Sequence, residues 1–176
     1  MSQSIIFNRI FLIFISLFIF FNMSSTYAMG RVQSDFDESD LPSLEEANQR
    51  CEVVLAIFNL EKLDGLINVI ELSGIVRSLR DENKLPAKFV TKNQARELGW
   101  YPGQPFNEIV KLRGKSIGGD HFGNYERRLP EGNYREADLD YLGLKRNAKR
   151  LVYQGHEAMY VTIDHYESFE QVPVCY

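Results

Sequence analysis

The chain has 176 residues, 44% hydrophobic and 25% charged, with a net charge of −4. That is ordinary globular usage and room for one domain with an appendage, and it excludes fibrous, coiled-coil and low-complexity classes. No internal repeat is visible, and no CxxC or Cys/His cluster offers a zinc site. Charge is uneven: from Gly30 to Asn83, 5 Lys/Arg face 12 Asp/Glu, whereas from Lys84 to Tyr176, 14 face 12. A mildly basic second part is compatible with a polyanionic partner.

Residues 1–28 read as a secretory signal peptide. Arg9 provides the positive n-region, Ile10 to Phe21 is an uncharged apolar run, and Thr26-Tyr27-Ala28 suits cleavage after Ala28. The alternative is an uncleaved anchor, but the fully apolar run is 12 residues, against about 20 for a span. The expected destination is extracellular and oxidising, with no membrane attachment after cleavage. The two cysteines, Cys51 and Cys175, are then candidates for one long-range disulfide, worth about 4 to 5 kcal/mol in chain-entropy terms. Unpaired thiols and pairing between chains are the alternatives.

Residues 29–66 are expected to form an acidic extension. Met29 to Asp40 lacks periodicity. Ser43 and Glu46 have capping-box spacing, and Cys51, Val54, Leu55 and Phe58 continue at helical spacing until Gly65. Residues 67–176 are expected to be the main domain. It starts with an amphipathic helix from Ile67 to Arg80, with Ile70, Ile75, Val76 and Leu79 on one side and a stop at Asp81-Glu82-Asn83. Leu85 precedes Pro86 and is extended. Thr91 and Gln94 form a second capping box for a short helix that Gly99 ends, and Pro102 and Pro105 mark a loop.

After Lys115 the chain breaks into short glycine-punctuated runs. Leu151 to Tyr153 and Met159 to Ile163 flank Gly155 as a hairpin, with His156 in the turn, and Tyr134 to Asp138 alternates like an exposed strand. Helices followed by strands predict an α+β fold, with helices packed on an antiparallel sheet.

The residues hold a possible metal-free acid–base kit. RNA carries its own nucleophile, the ribose 2′-OH, so cleavage needs a base, an acid and cations to hold the phosphate. Glu136, His165, Arg146, Arg150 and Lys92 would suffice. By spacing alone each also reads as an ordinary edge, turn or solvated residue. His121 and His156 look non-catalytic, and Trp100 reads as core.

Longer strings are more specific. Lys84-Leu85-Pro86, Phe89-Val90-Thr91-Lys92, Ala95 and Leu98-Gly99-Trp100 come first. Gly114-Lys115-Ser116-Ile117-Gly118-Gly119-Asp120, Asn124, Glu126 and Leu129-Pro130 follow. Arg135-Glu136-Ala137-Asp138, Arg146-Asn147, Arg150 and Asp164-His165-Tyr166 complete the series. In this order, from about Lys84 to Phe169, the chain resembles the barnase-type family of microbial guanyl-specific ribonucleases.

The resemblance implies a secreted, guanine-preferring endoribonuclease of the microbial ribonuclease fold, without a cofactor. It would cleave single-stranded RNA to a 2′,3′-cyclic phosphate and then hydrolyse that to a 3′-phosphate. By the same resemblance Glu136 is the general base and His165 the general acid. Arg146 and Arg150 clamp the phosphate, and Lys92 either assists or forms a structural ion pair with Asp120. Glu126 reads guanine N1 and N2, the backbone N–H groups of Asn124 and Tyr125 meet O6, and Tyr166 stacks near the base. Asp138 is a buried partner for an arginine. The expected partners are RNA and a small acidic protein inhibitor, and the chain is expected to be a monomer, used for nutrition or as a toxin. A catalytically weakened RNA- or inhibitor-binding protein of the same fold is the alternative.

The chain departs from the pattern in several places. Tyr125 stands where the family commonly has an arginine. The stretch from Leu129 to Tyr134 is shorter. The extension at 29–66 has no counterpart in the mature family module.

Overall fold

A computed structural model describes residues 50–176. The expected signal segment, the leader at 29–40 and the capping box at Ser43 and Glu46 lie outside the described residues.

Helix α1, Cys51–Lys62, runs into a turn at Gly65 (φ 71°). Buried Asn59 closes that turn: its side chain donates to the Ile67 carbonyl at 2.9 Å and accepts from the Ile67 N–H at 3.0 Å. Helix α2, Val69–Glu82, follows. Asn68 caps its start by accepting from the Glu71 N–H, and Asn83 ends it in the left-handed region. The buried face of α2 is Leu72, Ser73, Ile75, Val76 and Leu79. Ile70, expected on that face, is 72% exposed; it belongs to the first turn and projects beyond the sheet-facing stripe.

Strand β1 (Phe89–Val90) leads into the short helix α3 (Lys92–Glu97), whose Thr91–Gln94 capping box is formed in both directions. Two 3₁₀ turns, Phe106–Glu108 and Val110–Leu112, precede the strands β2 (Ser116–Phe122), β3 (Tyr134–Asp138), β4 (Arg150–Gln154), β5 (Ala158–Thr162) and β6 (Glu170–Gln171). The six strands pair in chain order; β1 lies parallel to β2 and every other pair is antiparallel. This is the expected α+β architecture.

The period of two along each strand divides the sheet into a helix side and an open side. Ala137, Leu151, Tyr153, Met159 and Val161 pack with Leu72, Ile75, Val76 and Leu79 in the main core. Their alternates on the open side include Glu136, Asp138, Arg150, Val152, Tyr160 and Thr162, with Glu136 opposite Val152 and Asp120. Tyr134 to Asp138 is therefore not an exposed strand. It lies between β2 and β4, and only Arg135 in it is exposed.

Two backbone positions explain the glycine pair at the centre of the family string. A Cβ at Gly118 would lie 2.6 Å from the Phe89 ring and 2.9 Å from Leu85. Gly119 has φ 92°, at the irregularity in β2–β3 pairing between Gly118 and Asp120. Only glycine allows β2 to press this closely on the segment that carries Lys92.

The boundary expected at residue 66 crosses one continuous core. Cys51, Leu55, Phe58 and Leu63 belong to the same cluster as α2 and the sheet. Cys51 is bonded to Cys175, and its N–H donates to the Tyr176 carbonyl at 3.1 Å. The bridge spans a sequence separation of 124, worth about 5 kcal/mol in the chain-entropy model. Helix α1 is thus fixed at both ends, by the disulfide and by Asn59. Truncating fully buried Leu55 to alanine should lower unfolding free energy by about 2 to 5 kcal/mol. The same change at Leu60, 72% exposed, should cost no more than about 0.5 kcal/mol. Equal, small losses in denaturant titrations of both variants would mean that α1 is not part of the cooperative core.

Candidate active site

On the open face of β3, Glu136 is 7% exposed, yet it is a carboxylate with three polar partners around it. Lys92 Nζ, from the first turn of α3, reaches Oε1 at 2.7 Å, and the Tyr166 hydroxyl donates to Oε2 at 2.6 Å. Arg150 adds its charge from below. Burial alone pushes the Glu136 carboxyl up. The hydrogen bonds from Lys92 and Tyr166, with the charges of Lys92 and Arg150, outweigh it and hold the group below the usual glutamate range. Burial and the hydrogen bond to Glu136 push the Tyr166 phenol well above its ordinary value.

Lys92 is held where it can do this. Its own N–H donates to Asp120 Oδ2 at 2.9 Å, so Asp120 fixes the start of α3 and the ammonium is left for Glu136. The ion pair of Lys92 with Asp120 entertained from the sequence does not form; the two residues meet through the backbone, because Asp120 lies beside the helix start.

Asp138, two residues beyond Glu136, is 2% exposed and receives both arginines. Arg146 makes a two-pronged contact, Nε to Oδ2 and Nη2 to Oδ1, each at 2.6 Å. Arg150 Nε lies 3.0 Å from Oδ1, and its Nη1 donates to the Asn147 and Lys149 carbonyls. The arginines differ in access: 31% of the Arg146 side chain is exposed against 3% for Arg150. Lys92, Arg146 and Arg150 stand against Glu136 and Asp138, one net positive charge on a partly dry floor, where an anion gains more than it would in water.

The turn after β5 brings His165 alongside. His165 and Tyr166 both have positive φ, 62° and 75°, a conformation disfavoured for bulky residues. Asp164 holds it. Its Oδ1 accepts from the Thr162 hydroxyl and from the N–H groups of Glu167 and Ser168, and its Oδ2 from the Ser168 hydroxyl. The Thr162 hydroxyl oxygen accepts the Tyr166 N–H, and the His165 N–H donates to the Ala148 carbonyl on the arginine loop. The exposed His165 ring lies 4.9 Å from that of Tyr166, which stacks on Phe122 at 5.3 Å.

The β2–β3 loop makes the other wall of a cleft of about 320 Å³ lined by His121, Asn124, Tyr125, Glu126, Glu136 and Tyr166, among others. Asn124 (φ 43°) clips the loop: its side chain donates to the Leu129 and Pro130 carbonyls and accepts the Leu129 N–H. The N–H groups of Asn124 and Tyr125 have no acceptor among the described residues. Tyr125 is 91% exposed. Glu126 is exposed and takes a 2.6 Å hydrogen bond from Arg128 Nε.

Of the candidate residues named from the sequence, Asn124, Tyr125, Glu126, Glu136 and Tyr166 line this cleft. Lys92 meets it through Glu136, His165 lies beside Tyr166, Arg146 and Arg150 pair with Asp138 two residues beyond Glu136, and the cysteine pair is bonded elsewhere. The Tyr166 hydroxyl on Glu136, the acceptor role of Asp164 and the arginine on Glu126 were not anticipated. Only Asp164 left a local trace, an aspartate four residues before a serine at a turn.

A ribonuclease family model matches residues 76–173. A ribonuclease of Heyndrickxia coagulans is 42% identical over 111 residues, which cover 61% of this chain and 99% of that protein. Ribonucleases of Bacillus intermedius and Bacillus pumilus are 40% and 42% identical over 111 residues, covering 67% of each. The chain belongs to the barnase-type microbial ribonuclease family. The family match begins inside α2 and ends at residue 173, so α1 and both disulfide cysteines lie outside the matched span.

The Asp164 carboxyl is drawn down to about 2: burial would raise it, but the Ser168, Thr162 and Glu167 donors prevail. A depressed folded value means that Asp164 stabilises the native state above its unfolded value of about 3.9, and that this contribution is lost as pH falls through about 2. Asp164→Asn should therefore lower Tm at neutral pH and leave less to lose between pH 4 and 2. Parallel Tm-against-pH curves for the two proteins would remove the carboxylate from this role.

Proposed function

We propose that this ribonuclease is a secreted, metal-independent endoribonuclease that prefers guanine. The observation that carries the reading is the buried Glu136 carboxylate, kept ionised between Lys92 and Tyr166 above paired arginines, with His165 on the adjoining turn.

In the first step Glu136 removes the proton from the ribose 2′-OH, and the 2′-oxygen attacks phosphorus. The P–O5′ bond breaks, and protonated His165 gives its proton to the departing 5′-oxygen. The product is a 2′,3′-cyclic phosphate. In the second step His165 takes a proton from water, which attacks the cyclic phosphate, and Glu136 returns its proton to the 2′-oxygen, leaving a 3′-phosphate. Arg146 is open enough to touch the phosphate, and Lys92 can share its ammonium between Glu136 and a phosphate oxygen. Arg150, almost wholly buried, acts through its field on the developing charge.

At the β2–β3 loop, Glu126 accepts hydrogen bonds from guanine N1–H and N2–H, while the Asn124 and Tyr125 N–H groups meet O6. Adenine has no N1 hydrogen to offer and would leave the carboxylate short of a partner. The exposed Tyr125 ring offers a stacking surface in place of the cation usual there. Export through the segment at residues 1–28 fits a chain whose cysteines are oxidised.

Assays on guanine- and adenine-containing dinucleotides test this reading. Glu136→Ala and His165→Ala should each lower kcat by about a hundredfold or more, EDTA should change nothing, and the cyclic phosphate should accumulate before the 3′-phosphate. Full activity in either variant removes the assignment. RNA binding without cleavage by the unmodified protein would favour the weakened, binding-only alternative.

A further inference from the structure

We infer that Arg128 is a specificity-determining positioning residue, which holds Glu126 in its base-reading orientation by tying it to the turn that carries His165. The inference deepens the proposed guanine preference and rests on that reading.

One guanidinium makes three contacts. Nε donates to Glu126 Oε2 at 2.6 Å, within the β2–β3 loop. Across the cleft mouth, Nη2 lies 3.2 Å from Glu167 Oε2, and Nη1 donates to the Glu167 backbone carbonyl. Glu167 directly follows His165 and Tyr166, and its N–H is anchored on Asp164. Arg128 therefore joins the wall offered to a base with the wall bearing the imidazole, 39 residues away in sequence.

This matters because, among the described residues, the Glu126 side chain has no other hydrogen-bond or ion-pair partner. Its side chain is 72% exposed, and a glutamate in water samples several rotamers. Reading guanine needs both carboxylate oxygens facing the N1–H and N2–H edge at once. Arg128 occupies one site on Oε2 and leaves Oε1 and the remaining lone pair of Oε2 free, since a carboxylate accepts about four hydrogen bonds. The planar fork of arginine can serve both sides, whereas a lysine ammonium has no such fixed geometry. The loop is ready for this: Asn124 clips it to Leu129, and the Arg127 N–H donates to the Asn124 carbonyl at 2.9 Å. Arg128 follows directly and emerges at the rim.

The test compares Arg128→Gln, Arg128→Lys, Glu126→Gln and the Arg128→Gln/Glu126→Gln pair on guanine- and adenine-containing dinucleotides, with Tm recorded for each. Arg128→Gln should raise KM for guanine substrates about fivefold to tenfold, the effect of losing one charge-assisted hydrogen bond. Its kcat should stay within about twofold, because the change affects binding rather than the chemical step. The guanine-to-adenine ratio should fall by a similar factor, Arg128→Lys should restore only part of it, and Arg128→Gln should add nothing to the ratio in a Glu126→Gln background. An equal loss on both bases would make Arg128 a general attractor of the polyanion and overturn the inference. So would a tighter guanine KM, which would mean that the arginine obstructs the carboxylate. If the unmodified protein cuts both bases alike, the guanine reading itself fails; if Glu126→Gln flattens the preference and Arg128→Gln does not, only this inference fails.

Discussion

The cleft depends on a carboxylate kept charged where carboxylates are usually not. An ionised group taken from water carries a penalty of several kcal/mol unless its oxygens are paired. Glu136 is paired at both oxygens, by an ammonium and by a phenol hydroxyl, and it sits above two guanidinium groups neutralised in part by Asp138. Each partner comes from a different part of the chain: Lys92 from the start of α3, Tyr166 from the turn after β5, and Arg150 from the first residue of β4. A buried charge of this kind fixes where those elements meet, since a displacement of any one would leave the carboxylate short of a partner.

The rest of the fold serves that placement. The helix side of the sheet is filled by α1 and α2, which leaves the opposite side free to carry charge. Close packing at Gly118 sets β2 against the segment that presents Lys92. Asp120 holds the Lys92 backbone while Asp164 holds the Tyr166 turn, so two acidic residues outside the reacting pair act as fasteners. The strained backbone of His165 and Tyr166 is retained because three side chains over-determine it. Helix α1 lies on the far side of the sheet, and its contribution, through Asn59 and the disulfide, is to stability rather than to the cleft.

Much of this was legible in the sequence where a signal is local. The Thr91 capping box, the Gly155 hairpin and the core stripe of α2 are written in adjacent residues, and the ordered strings from Lys84 to Tyr166 carried the family. Other features depend on residues far apart. The alternation of Tyr134 to Asp138 looks solvent-facing because polar residues occupy it, and the partners that make its carboxylates buriable are not adjacent in sequence: Arg146 and Arg150 for Asp138, Lys92 and Tyr166 for Glu136. The helical spacing near Cys51 gave α1, but not that it shares a core with the main domain, since that rests on Asn59 and on Cys175 at the other end of the chain. Ile70 was misplaced because periodicity locates a stripe better than it locates the stripe's end. The contact of Arg128 with Glu167 has no local signature at all.

The central claim is that Lys92 and Tyr166 keep buried Glu136 ionised. Its most direct test is the side-chain carboxyl titration of Glu136, followed by carbon-13 NMR in the unmodified protein and in Lys92→Met. The account predicts a midpoint below that of an ordinary glutamate, about 4.3, and a clear rise when the ammonium is removed and burial is left unopposed. A midpoint at or above the ordinary value in the unmodified protein, or one that does not move in Lys92→Met, would contradict it.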